Sequence, residues 1–244
     1  MLRTNVASTD EVRRRVAFAA ISELKTSELE GDVAEYLDDP DPLMQRRAIG
    51  VLGVLGSHVA DQRLLANLDP SGNEAVIKVS LETLVKLDVY SWDKFRPLLD
   101  YPYITVRETL IGRLIEKSAV YEQDLRHELE SAAGMASIEP PLSTRALRSI
   151  LKVFYSASLM PDESCVQAIS IVLGHEDWGV RADAVHVVRH WQDLLKQELA
   201  AGGDPSAAMF LESVIEPLVQ QVDAVLKTET DPFVLFIGND QKRD

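Results

Sequence analysis

An apolar frame that returns at nearly fixed intervals constrains this chain more than any other feature. Met44, Ala48 and Leu52 stand at i, i+4 and i+8, a spacing that lines them along one face of an α-helix. The frame returns at Val12, Val16 and Ala20, at Val76, Ser80 and Leu84, at Val106, Leu110 and Leu114, and at Val180, Ala184 and Val188. A weaker unit lies at Thr144 to Lys152. The period is about thirty residues, which suits a helix-turn-helix repeat. Ahead of Met44, Asp41 is placed to cap a helix and Pro42 to occupy its first position, where the missing N–H costs nothing.

Amphipathic segments at 28–37, 57–68, 91–99, 121–133 and 162–173 read as partner helices. Turn-forming runs such as Asp38-Asp39-Pro40 and Asp69-Pro70-Ser71-Gly72-Asn73 separate the members. No segment alternates apolar and polar residues as a half-buried strand does. A lone helix pair leaves an apolar face in water, so neighbouring pairs must stack. The expected fold class is all-α, a right-handed α-α superhelix of about six helix pairs. The expected parts are a repeat region over 1–200, a C-terminal capping helix over 205–228, and a tail over 229–244 that is apolar and then charged. In the capping helix, Phe210, Val214, Leu218, Val222 and Leu226 form the predicted stripe, with a kink at Pro217. The Arg13-Arg14-Arg15 run is the expected polar face at the front of the stack.

The stretches "LDDPDPLMQRRAIGVLGVLG" and "GHEDWGVRADAVHVVRHW" resemble HEAT repeats and the related bilin-lyase-type repeats. There an Asp-Pro turn precedes a Val-Arg pair, with an Ala four residues after the Val and a Leu beyond. The resemblance covers roughly residues 10–196. It implies a helical solenoid whose second helices line the concave surface, and it says little about activity. The second-helix Arg of the family falls on Arg13, Arg107, Arg145 and Arg181, while Gln45 and Ile77 replace it in the second and third units. A ladder between those arginines and the turns is therefore expected to be interrupted at both.

Charge narrows the choice of partner. The formal net charge is −14, so nucleic acid and anionic membranes meet repulsion. Cys165 is the only cysteine, which excludes an internal disulfide and fits a reducing compartment. No apolar run approaches the roughly 20 residues of a membrane helix. A cytoplasmic protein with a protein or peptide partner, and with no cofactor, nucleic acid or membrane, is the expectation.

Five residues make the leading candidate site. Arg14, Arg15, Arg46, Arg47 and Lys78 lie at or next to matching positions of the first three units. They read either as a stripe for an acidic peptide or phosphate group, or as a solvated face paired with nearby carboxylates. Asp183, His186 and His190 share one helix face and offer two imidazoles and a carboxylate for a metal, or else a plain polar face. No metal motif supports the first, and none is expected. Trp178 and Trp191 with Arg181 and Arg189 invite comparison with HEAT-like DNA glycosylases, but a packing role for both tryptophans is the expectation. Cys165 sits on an apolar helix and reads as a buried thiol. In the tail, Phe233, Leu235 and Phe236 belong to a five-residue apolar run that either folds back on its own chain or docks into a second molecule. The expected function is a non-enzymatic scaffold or adaptor, with a bilin-lyase-like chromophore handler and a HEAT-like nucleic-acid enzyme as rivals.

Overall fold

Side-chain caps set where the helices begin. Asp10, Asp41, Asn73, Ser143, Asp162 and Asp177 each accept a hydrogen bond from a backbone N–H in the first turn that follows. Each satisfies a donor that the helix itself cannot. Pro42 occupies the first turn behind Asp41 as expected. The structure, a computed structural model, describes residues 1–136, 138, 141–230 and 234. Its helices are α1 (Leu2–Val6), α2 (Glu11–Leu24), α3 (Glu30–Ala34), α4 (Pro42–Leu55), α5 (Asp61–Ala66), α6 (Glu74–Lys86) and α7 (Trp92–Phe95). Then follow α8 (Ile104–Glu116), α9 (Ser118–Ala132), α10 (Thr144–Ser156), α11 (Glu163–Val172), α12 (Trp178–Ala200), α13 (Pro205–Phe210) and α14 (Glu216–Thr228). No strand occurs among the described residues, and no helix there is long and apolar enough to cross a membrane. The fold is all-α.

Two compact units divide the chain, Met1–Leu110 and Ile111–Asp244. In the first, α2, α4 and α6 pack in succession, with α1 on α2, α3 on α4 and α5 on α6. In the second, α10 and α11 pack on α12, and α9 packs on both α10 and α11. The repeated frame supplies these cores. Met44, Ala48 and Leu52, Val76, Ser80 and Leu84, and Val106 and Leu110 are buried in the first unit. Leu114, Val180, Ala184 and Val188 are buried in the second.

The first frame is an exception. Val12 and Val16 are 56% and 60% exposed, and Ala17, Phe18 and Ile21 form the buried face of α2 instead. The segment from Val16 to Ile21 is apolar throughout, so periodicity alone did not choose a face. The cap does: Met44, Val76 and Val180 each stand three residues after their N-cap. The same count from Asp10 runs through Arg13 to Ala17 and Ile21.

Several partner helices are shorter than predicted. The 28–37 segment is a single turn, α3, between 3-10 turns at Ser27–Leu29 and Glu35–Asp38. The 91–99 segment leaves the α-helix at Arg96, where Pro97 has no N–H to bond backwards and a 3-10 turn, Arg96–Asp100, takes over. Near the C-terminus, the predicted kinked helix divides into α13 and α14 around a wide π-turn, Leu211–Ile215. Pro217 has no N–H for the Ser213 carbonyl, which favours such a turn just ahead of it. The buried face is Ala207, Leu211, Ile215, Leu218, Val222 and Leu226. Phe210 and Val214 are only half-buried, so ahead of Pro217 the predicted stripe is one residue out.

Candidate functional site

A polar side chain four residues after the N-cap repeatedly reaches back to the turn before its helix. The Arg14 guanidinium donates to the Ser8 and Thr9 carbonyls at 2.8 and 3.0 Å. Gln45 donates to the Asp39 carbonyl at 2.7 Å. Arg107 donates to the Tyr101 carbonyl and, at 3.0 Å, to that of Pro102. Arg181 donates to the His175 and Glu176 carbonyls at 3.0 and 2.8 Å. Each bond ties a helix start to the preceding loop and satisfies carbonyls that the loop leaves open. Two expectations change. In the first unit this residue is Arg14, not Arg13, and the series is not interrupted at Gln45, whose amide does the same work. The turn partners are backbone carbonyls.

This changes the basic site. Arg14 is committed to its turn and also lies 5.9 Å from the Tyr36 ring centre. Arg47 pairs with Glu11 at 3.3 Å, linking α4 to α2. Neither faces water as a free cation. Arg15 and Arg46 are exposed, and they hold no hydrogen bond or ion pair among the described residues. Lys78 is half-exposed and lies 3.9 Å from Glu82 of its own helix, a weak solvated pair. Counted from Asp10, Asp41 and Asn73, the residues Arg15, Arg46 and Lys78 all stand fifth. Because α4 packs against both α2 and α6, these three form one row, spaced by the helix separation of about 8–10 Å.

In the second unit the same count from Ser143 lands on Arg148, which the sequence does not single out when the unit at Thr144 to Lys152 is placed by Thr144 rather than by its cap. Arg148 donates to Asp183 at 2.7 Å and lies 5.8 Å from the Trp178 ring centre. A Cβ on Gly179 would stand 2.7 Å from the guanidinium, so glycine makes room for it. Asp183 is buried; desolvation raises its pKa while Arg148 pulls it back. His186 lies against the Tyr155 ring at 5.3 Å, and burial lowers its pKa. His190 shares a hydrogen bond with the Ala157 carbonyl at 2.8 Å. Asp183, His186 and His190 therefore bind α12 to α10 and its C-terminal end rather than forming a polar surface face. Among the described residues no cluster of His, Cys, Asp or Glu is arranged to hold a metal ion.

The other candidates separate. Trp191 is fully buried, edge-on to Phe154 at 6.1 Å. Trp178 is 41% exposed and lies beside the Arg148 guanidinium, so it does not share the buried packing role predicted for both. Arg181 grips the buried Glu229 through two bonds of 2.8 and 3.0 Å, and Arg189 meets Asp223 at 3.2 Å. Both tether α14 and the residue following it to α12. Cys165 is fully buried with the Arg126 guanidinium 2.9 Å from its sulfur. Burial pushes its thiol up to about 12, against the pull of Arg126, which keeps it a neutral thiol. Phe233, Leu235 and Phe236 lie outside the described residues; their neighbour Val234 is buried.

No protein-family profile matches the sequence, and no curated protein does. Among solved structures, the chain is similar to a designed armadillo repeat protein at 12% identity, over 98% of this chain and 95% of that one, with a TM-score of 0.37. It is likewise similar to computationally designed armadillo repeat proteins for modular peptide recognition, at 12% identity, over 98% and 95% of the chains, with a TM-score of 0.38.

Proposed function

We propose that this chain is a non-enzymatic repeat scaffold that binds an acidic segment of a protein partner along the row Arg15, Arg46 and Lys78. The observation that carries the reading is the matching fifth place of these three cations on successive packed helices, with Arg15 and Arg46 left unpaired at the surface. Unpaired guanidinium groups offer planar, two-pronged donors to carboxylates. A peptide in the extended polyproline II form repeats its side chains every third residue at about 3.1 Å per residue, so acids three apart point the same way about 9 Å apart and match the row. Specificity is set by that spacing and by the overall acidity of the chain, which repels any acidic ligand that misses the row.

The test is a fluorescence anisotropy titration of a labelled extended peptide carrying Glu at every third position. Reversal of all three charges, Arg15→Glu, Arg46→Glu and Lys78→Glu, is expected to weaken binding at least about tenfold and to flatten its salt dependence. Thermal unfolding of the triple variant should match the parent, since none of the three side chains is buried. Equal affinity in parent and variant would remove the row as a binding site.

A further inference from the structure

The second unit carries a docking surface of the opposite sign. Where α12 ends and α13 begins, an open cleft of about 630 Å³ lies beside the loop that enters α11. Its apolar lining comes from Leu195, Phe210, Val214, Met160 and Met209. Leu195 is buried, while Met160 and Met209 are 36% and 68% exposed. Two flexible thioethers at the mouth of an apolar cleft can adapt to an incoming side chain without the cost of a rigid fit.

Glu163, Glu198 and Asp204 supply its charged groups, and no lysine or arginine joins them. Glu163 and Glu198 hold no ion pair or hydrogen bond through their side chains among the described residues. Asp204 accepts from the Ser206 N–H at 2.8 Å and keeps further lone pairs free. The π-turn ahead of Pro217 sets the far wall, since Ser213 and Val214 belong to it.

We propose that this cleft is a docking site for a basic amphipathic helix of a partner protein. The helix places an apolar side chain between Met160 and Met209 and sets its lysines or arginines against Glu163, Glu198 and Asp204. Charge complementarity selects this occupant. An acidic segment, a nucleic acid or an anionic lipid surface meets the unpaired carboxylates of Glu163 and Glu198 and the capping carboxylate of Asp204, whereas a cationic helix neutralises them as it covers the exposed methionines. The inference is independent of the row on α2, α4 and α6, and the two surfaces together make the scaffold an adaptor.

The probe is a labelled Leu/Lys helical peptide of about four turns, roughly 14 residues, with leucines at i, i+3, i+4 and i+7. Anisotropy titration against the full chain should give saturable binding. Met209→Glu, and separately Glu163→Lys with Glu198→Lys, should each weaken it at least about tenfold. Met209→Ala, which removes only an exposed side chain, should weaken it by a smaller factor with no change in thermal midpoint. Reversing Arg15 and Arg46 should leave it unchanged, which separates this site from the row. Equal binding by a Ser/Lys peptide of the same charge would overturn the proposal, as would unchanged affinity in Met209→Glu. Self-association that is lost in Met209→Glu would also overturn it, by assigning the cleft to a second copy of the chain.

Discussion

At the scale of single residues, the arginines of this chain do three different jobs that the sequence presents as one. Arg14, Arg107 and Arg181 close turns, Arg47 and Arg189 join helices, and Arg15 and Arg46 face solvent. One step along a helix turns a side chain by about 100°, so adjacent arginines in a run point to different environments. Five candidate cations therefore reduce to three. The closing arginines are also unequal. Arg181 neutralises Glu229, whose side chain is 5% exposed, as well as holding two turn carbonyls. Gln45 makes one neutral bond. Removing one partner of a buried ion pair costs about 3–5 kcal/mol, while a single neutral hydrogen bond is worth about 1 kcal/mol. Arg181→Ala is thus expected to destabilise the protein several times more than Gln45→Ala in urea unfolding. Equal losses would mean that Glu229 finds other compensation once Arg181 is gone.

At the scale of elements, helix α2 tests whether caps or apolar residues set the register. Val16 is the more apolar of two neighbours, yet it is 60% exposed while Ala17 is 1% exposed. Val16→Glu should change stability by no more than about 0.5 kcal/mol, as surface substitutions do. Ala17→Glu drives a charge into the interface of α2 with its neighbours and should largely unfold the first unit, a loss of several kcal/mol at about neutral pH. Circular dichroism during urea titration distinguishes the two, and the reverse order would restore the frame read from Val12 and Val16. The contrast also shows what was legible in sequence. In α4, α6 and α12 the i, i+4, i+8 frame coincides with the buried face. Between Val16 and Ile21 every residue is apolar, so the frame does not choose a face, and only the distance from the N-cap decides. Arg148 is concealed when its unit is read from Thr144 rather than counted from the Ser143 cap. The cleft beside α13 was illegible for another reason: Met160, Glu163, Leu195 and Met209 come from three segments, and only packing brings them to one place.

At the scale of the whole molecule, charge works in two directions at once. The chain carries 39 acidic and 25 basic residues, for a net charge of −14. Most of that excess stands at the surface, where like charges repel and oppose the folded state. The row on α2, α4 and α6 is a local exception, so the attraction proposed for an acidic segment acts within a repulsive surround. Sodium chloride screens both effects, since the Debye length falls from about 10 Å at 0.1 M to about 3 Å at 1 M. Screening removes more repulsion than attraction within the folded chain, because the buried pair Arg181–Glu229 is sheltered from ions while exposed carboxylates are not. Stability should therefore rise with salt. A gain of about 1 kcal/mol corresponds to a midpoint about 2–4 °C higher for a chain of this size. Over the same range, affinity for the acidic peptide should fall, because the attraction at Arg15, Arg46 and Lys78 is exposed to the same ions. Thermal melts and peptide titrations across one salt series should thus move in opposite directions. A midpoint that falls with salt would mean that exposed ion pairs, not surface repulsion, dominate the electrostatics of the fold. An affinity that rises would mean that the peptide is held by apolar contact rather than by the basic row.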